Sequence, residues 1–284
     1  MNHRLPLAAV LKVCVVLLLG AITVVLFQSF FQYLWQTWQI DPFYRHGVWV
    51  AGVSVAFYLW QIYEVRKDPF CRLETFPKAS FLLGLLFLLS FGFGVYTHIA
   101  FLGGVAFIFW MILVNQVLFS SARHTIHFPA LYVLTAVPIP FLGEISGLLQ
   151  IEIARLSTWF LNLFGFEILR SGIVIGTQSV QFQIAPNCTG ISSWLVLTSL
   201  VLFFLYFMKG RLSKKILLFG LILPIAFLSN WIRVLSLILV GIYFGETVAM
   251  QFWHMWGDIL FYVLACCLTF LCMLVLFRKH GYRN

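Results

Sequence analysis

The sequence predicts an all-α polytopic membrane protein, and three observations carry that prediction. Of its 284 residues 62% are hydrophobic and only 10% are charged, whereas ordinary soluble domains hold about 25% charged residues. The mean hydropathy is +0.99. Eight stretches approach the run of about 20 apolar residues that a bilayer core demands. They lie near 8–27, 48–63, 79–97, 99–119, 128–142, 188–208, 216–236 and 257–277. The expected organisation is about eight transmembrane helices in a single integral membrane domain, 1–284. It carries an outer loop at 143–187 and a chemistry-bearing half at 185–265.

The first stretch resembles a secretory signal in length, but "QSFFQYLWQTW" follows it instead of a small-residue cleavage site, so it is expected to be retained. The next three run on without a charged residue. The fifth, "FPALYVLTAVPIPFL", is short and ends in Pro138 and Pro140, which stop a regular helix. An even number of crossings puts both termini on one side of the membrane. Fourteen of the eighteen lysines and arginines then fall on the side of the termini, the bias that marks the cytoplasmic face. The expected topology is therefore N-in/C-in in the cytoplasmic (inner) cell membrane. The formal charge of +9 reads as topology, and no nucleic acid is expected as a partner. The tail "RKHGYRN" ends the chain soon after the last stretch, and no appended soluble domain is expected.

Two elements are expected in the outer loop. Ile145, Leu148, Leu149, Leu156, Trp159, Phe160 and Leu163 fall largely on one helical stripe, the pattern of an amphipathic helix lying in the membrane interface or packed on the bundle. Further on, "SVQFQIAP" alternates Val180, Phe182 and Ile184 with Gln181 and Gln183, the period of a strand. Pairing of this strand back onto "GIVI" through "IGTQ" makes a short β-hairpin before the sixth crossing. Gln181, Phe182 and Gln183 are candidate substrate-binding residues, since a sheet edge can capture an extended peptide.

With this orientation three separated residues reach the same depth. Cys188 opens the sixth stretch at its outer end. Arg233 lies near the outer end of the seventh, about 26 Å along a helix from Ile216. His254 immediately precedes the eighth. Such a trio suits acyl transfer through a thioester. A thiol attacks as its thiolate, which cations and helix N-termini favour. His254 can take the thiol proton and return it to a leaving amine. Arg233 can hold a carbonyl oxygen as charge develops or bind a substrate carboxylate. The backbone N–H groups after Cys188 are a second candidate for the oxyanion, with Gly190 allowing close approach.

The same residues resemble a known family. "NCTGISSW", "SNWIRV" and "FWHMWGD" look like the three blocks of the exosortase/archaeosortase family: cysteine, small hydroxyl residue and glycine; then Asn-x-x-Arg; then histidine with glycine close behind. "WQIDPFYRHGVWV" and "VPIPFLGEISGLLQ" resemble its early Asp-x-x-x-x-His-Gly segment and its Pro-x-Pro segment. The resemblance spans about residues 35 to 265. It implies a membrane cysteine protease/transpeptidase that cuts C-terminal sorting signals (PEP-CTERM type: a short motif, an apolar helix, a basic tail) from exported proteins and passes the new carboxyl to an acceptor amine. It makes Cys188 the nucleophile, Arg233 the stabiliser and His254 the acid/base. Thr189 stands where serine is common, which keeps the hydroxyl. No cofactor is implied.

Supporting roles are open for Asn230, one turn before Arg233, and for Asp258, one turn after His254; satisfying nearby backbone or favouring a helix start explains them equally well. His46 matches a family segment and is a candidate for the rim of the pocket. The six cysteines, Cys14, Cys71, Cys188, Cys266, Cys267 and Cys272, show no paired metal-ligand spacing, so neither a zinc site nor a disulfide framework is expected. Two other classes suit the composition, a transporter and a non-catalytic scaffold for envelope or exopolysaccharide assembly. A transporter places ionisable residues along a path at mid-bilayer, and Lys12 is the main one here. A scaffold would not need a selectively reactive outer-face thiol.

Overall fold

The computed structural model describes residues 7–65, 78–118 and 128–278. Cys71 lies outside the described residues. The chain divides into two compact units, Met1–Ile139 and Pro140–Asn284, and each is built differently.

The first unit is helical: α1 (Leu7–Ile40), α2 (Gly47–Val65), α3 (Lys78–Thr97), α4 (Ala100–Leu118) and the short α5 (Phe128–Val133), which tightens into a 3-10 turn over Leu134–Ala136. At 34 residues and about 1.5 Å per residue, α1 is about 50 Å long and runs well past the stretch that hydropathy marks. Its core is aromatic: Phe27 is buried and meets Phe91 and Phe107 edge-on, geometry that ring quadrupoles favour. The stretch read as a fifth crossing is ordered here as the six residues of α5. Residues 119–127 before it lie outside the described residues, and Pro138 and Pro140 lie beyond it.

In this unit the polar segment between α1 and α2 is locked onto the segment after α5. The Trp38 indole N–H donates to Ala136 O at 2.9 Å, His46 Nε2 meets Thr135 O at 3.2 Å, and the Ile139 N–H donates to the Tyr44 hydroxyl at 2.8 Å. Gly47 makes room for the first of these. A Cβ there would come within 2.1 Å of Trp38 Nε1, so only glycine lets the indole lie on the start of α2.

The second unit combines helices with a small sheet. α6 (Leu142–Leu163) leads to β1 (Leu169–Ser171), β2 (Val174–Gly176) and β3 (Gln181–Gln183), then to a 3-10 turn (Pro186–Thr189), α7 (Ile191–Phe207), α8 (Leu212–Phe244), a π-helical segment (Val248–Trp253) and α9 (His254–Phe277). The strands form one antiparallel sheet in the order β1-β2-β3. α6 buries the narrow face of Leu142, Ser146, Ile153, Ala154, Ser157 and Leu161, and leaves Ile145, Leu148, Trp159 and Leu163 exposed. The buried face mixes large apolar residues with small or hydroxyl-bearing ones, and Ala154 and Ser157 let the neighbouring chain approach closely.

Four described helices are long and apolar enough to cross a bilayer, Cys14–Ile40, Ser80–Thr97, Leu212–Phe244 and Ile259–Phe277, and three shorter apolar helices accompany them, Gly47–Gln61, Ala100–Gln116 and Ile191–Phe207. Several hydroxyls along these helices return to their own backbone, as Ser54 does to Val50 O and Thr269 to Ala265 O, which satisfies them where lipid offers no acceptor.

Candidate functional site

One face of α8 carries the site. Moving along it toward the C-terminus, Ala226, Asn230, Arg233 and Gly241 meet, in order, Gly190, the Cys188 carbonyl, the Cys188 sulfur and the Phe182 ring. The chain from β3 to the start of α7 therefore runs antiparallel along α8, pinned at each step. Phe182 is buried against Gly241, where a Cβ would approach its ring to 2.3 Å. Gln150 of α6 donates its amide to Ile184 O at 2.7 Å. The chain then tightens into the 3-10 turn, with the Cys188 N–H on Ala185 O at 2.8 Å and the Thr189 hydroxyl on Pro186 O at 2.8 Å.

Gly190 ends that turn and begins α7 with φ at +84°. Residues with a Cβ rarely adopt this left-handed conformation, and a Cβ here would also press on Ala226 O and Asn230 Cβ at 3.2 Å each. Glycine is thus required twice over to bring the turn against α8. The result is a thiol only 4% exposed, packed with Ile184, Val234 and Ile238 yet served by two polar side chains. Arg233 donates from Nη2 to Cys188 Sγ at 3.0 Å, and Asn230 donates from its amide to Cys188 O. A guanidinium N–H aimed at sulfur is a contact that strengthens when the sulfur carries negative charge. Beside the turn, Gly190, Ile191, Trp194, Pro224 and Phe227 help to line an apolar cavity of about 310 Å³.

α9 approaches Arg233 from the other side. Gly257 is buried, with its Cβ position 3.7 Å from Arg233 Cγ. The Trp253 indole donates to Ser236 Oγ at 2.9 Å, and that hydroxyl donates to Arg233 O at 2.7 Å. His254 is the first residue of α9, one turn before Gly257. The side chains of His254 and Asp258 lie outside the described residues.

Of the residues singled out from sequence, the structure brings Cys188, Thr189, Gly190, Asn230 and Arg233 together. Gln181 and Gln183 are exposed on β3, while Phe182 between them is buried and packs the strand onto α8. His46 belongs to the first unit and is held by Thr135 O. Burial lowers its pKa from the ordinary 6.5, outweighing the opposing pull of that carbonyl. Ser236 and Trp253 were not singled out. They lie 17 positions apart, and no local spacing signals their pairing; the only cue was an indole, whose N–H needs an acceptor when buried.

No curated protein and no solved structure matches the chain. A family model described as transmembrane exosortase (Exosortase_EpsH) matches residues 35–271. That span includes the turn of Cys188, all of α8 and the start of α9. With several apolar helices long enough to cross a bilayer and a match over most of its length, this multi-pass membrane protein belongs to the transmembrane exosortase family.

Proposed function

We propose that the protein is a membrane cysteine protease/transpeptidase acting on C-terminal sorting signals of exported proteins. Its chain crosses the cytoplasmic (inner) membrane about eight times with both termini inside, and its site lies at the outer face. Family membership supports a membrane transpeptidase-type role. The single observation that carries the assignment to Cys188 is the Arg233 Nη2 contact to its sulfur at 3.0 Å. A cysteine that served only as a small buried hydrophobe would need no cation.

In the proposed reaction His254 takes the proton of Cys188, and the thiolate attacks the scissile carbonyl to form a C–S bond. The oxyanion is held by Arg233 or by the backbone N–H groups at the start of α7, beyond Gly190. Collapse of the tetrahedral intermediate breaks the C–N bond, and His254 returns its proton to the departing amine. The signal, with its apolar helix and basic tail, leaves; the upstream polypeptide stays as a thioester. An acceptor amine then attacks, gives its proton to His254 and releases the thiol. Asn230 and Thr189 keep the turn in shape, and Asp258 is proposed to orient His254. Shielding the sulfur, at 4% exposure, disfavours loss of the thioester to bulk water relative to attack by a bound amine.

The test is co-expression with a tagged exported protein that ends in a short motif, an apolar helix and a basic tail, followed by mass measurement of the tag-bearing product. The reading predicts a product shortened by the whole signal and increased by the mass of an amine acceptor. A product of full length in every condition contradicts it.

A further inference from the structure

We infer that the open edge of β3 is the docking strand for the polypeptide substrate, which adds to the sheet as a fourth, extended strand and is led by it to Cys188. The inference rests on the acyl-transfer reading above and specifies how that site takes its substrate. β3 ends the sheet order β1-β2-β3. The Thr177 N–H donates to Val180 O at 2.8 Å and the Ile184 N–H to Ile173 O at 2.9 Å. In the same register Ile175 faces Phe182. Residues 180, 182 and 184 therefore face β2 with their backbone groups, except that the Ile184 C=O takes the Gln150 amide. Because these groups alternate along an antiparallel strand, Gln181 and Gln183 turn their N–H and C=O to the opposite side, where no further strand pairs with them among the described residues.

The two edges of the sheet differ in a way that bears on use. Natural edges are blunted by charge, proline or a bulge. β1 has Arg170, whose guanidinium bonds Gly172 O at 3.0 Å. β3 carries no charge and no proline, and its two outward side chains are exposed amides. It is also held in place, by Phe182 on Gly241 and by Gln150 on Ile184 O, so an added strand meets a preformed edge.

Position supplies the occupant. From Gln183 the chain continues extended through Ala185, at φ −73° and ψ 157°, into the turn of Cys188. The turn begins at Pro186, three residues after Gln183, and at about 3.3 Å per extended residue a segment paired with 181–183 needs only about three further residues to keep pace with the chain to that turn. Backbone pairing accepts any extended sequence and leaves selectivity to side chains beyond the paired stretch. An extended polypeptide segment on its way to the thiol fits this placement.

The experiment puts a photo-reactive amino acid at position 181, 183 or, on the opposite edge, 170 of the full-length Cys188→Ala chain in membranes, with the tagged test protein described above. Adducts with the test protein are expected from 181 and 183 and not from 170. In the otherwise unaltered chain Gln183→Pro, which removes an outward N–H that an edge strand can lose without harm to its own ladder, should cut product by about tenfold or more. Gln183→Ala, which keeps that N–H, should cut it by less than about threefold. Gln181→Pro should behave like Gln183→Pro. Absence of adducts, adducts only with a second copy of the chain, or full product from both proline variants would overturn the inference. Adducts at 181 and 183 in a chain that never yields product would uphold the docking edge and sink acyl transfer; product without adducts would do the reverse.

Discussion

Each unit holds a polar cluster, and the two differ in what their donors point at. In the first unit Trp38 and His46 point at the carbonyls of Ala136 and Thr135, and the glycine beside them is filled by an indole. Every partner of these two donors is ordinary backbone. In the second unit Asn230 points at a carbonyl but Arg233 points at a sulfur, and the glycine beside them opens a helix whose first N–H groups have no acceptor within that helix. Both clusters come from short blocks of tryptophan or asparagine, a charged or titratable residue and a glycine. The difference teaches that such a block marks chemistry only when its donors converge on a group able to react.

The largest break between the clusters should come from Cys188→Ala or Cys188→Ser. Either change removes the thiol with little loss of volume, so product formation should fall by about a thousandfold or more while the protein remains in the membrane. Arg233→Lys should come next, with a loss of about a hundredfold, since a point charge on a flexible stem cannot reproduce the planar fork. Both are read from the yield of shortened, acceptor-bearing product per membrane-embedded chain. Product at wild-type yield from either variant removes the role given to that residue.

The cluster of the first unit should answer in stability rather than chemistry. Gly47→Ala drives a methyl group into the Trp38 indole, an overlap that no side-chain rotation at 47 relieves. It should cost about 2 kcal/mol or more, seen as a lowered unfolding midpoint in detergent. Ser236→Ala sharpens the contrast from the other side. It removes the acceptor of the Trp253 indole and should cost about 1 kcal/mol, with Ser236→Thr restoring both midpoint and product if the hydroxyl acts by positioning Arg233 and α9.

The smallest effect is a pH dependence. Because burial lowers the pKa of His46 below 6.5, the folded state favours the neutral ring. Stability from this group is full above that value and is lost as pH falls through the folded pKa. The unfolding midpoint should drop as pH falls below the ordinary 6.5, and His46→Gln should flatten that part of the profile. An unchanged slope in the variant would mean that another group titrates there.

Much of this contrast was legible beforehand, for definite reasons. Lipid as solvent makes apolar runs visible in composition alone, and strand alternation separated Phe182 from Gln181 and Gln183, although Phe182, a candidate for substrate binding, is instead buried against Gly241. Cys188 and Arg233 could be brought together because both fell at the outer ends of consecutive runs. The lengths of α1 and α8 were not legible: α8 continues to Phe244, past Gly241, where Phe182 of the sheet packs against it, a tertiary contact that hydropathy does not record. The lock in the first unit was half legible. Its two blocks stood out in the sequence, but nothing in either says that Trp38 and His46 bond to the other, and His46 was read instead as a candidate for the pocket rim.

The central claim is that Cys188 forms a covalent thioester with the exported substrate. It is tested most directly by mass analysis of the Cys188-bearing peptide from membranes co-expressing the tagged test protein, with and without hydroxylamine. The account predicts that a fraction of that peptide carries the upstream end of the test protein, that hydroxylamine releases it, and that Arg233→Ala abolishes it. Normal product formation while the peptide stays unmodified, with Cys188→Ser as active as the wild type, would contradict it.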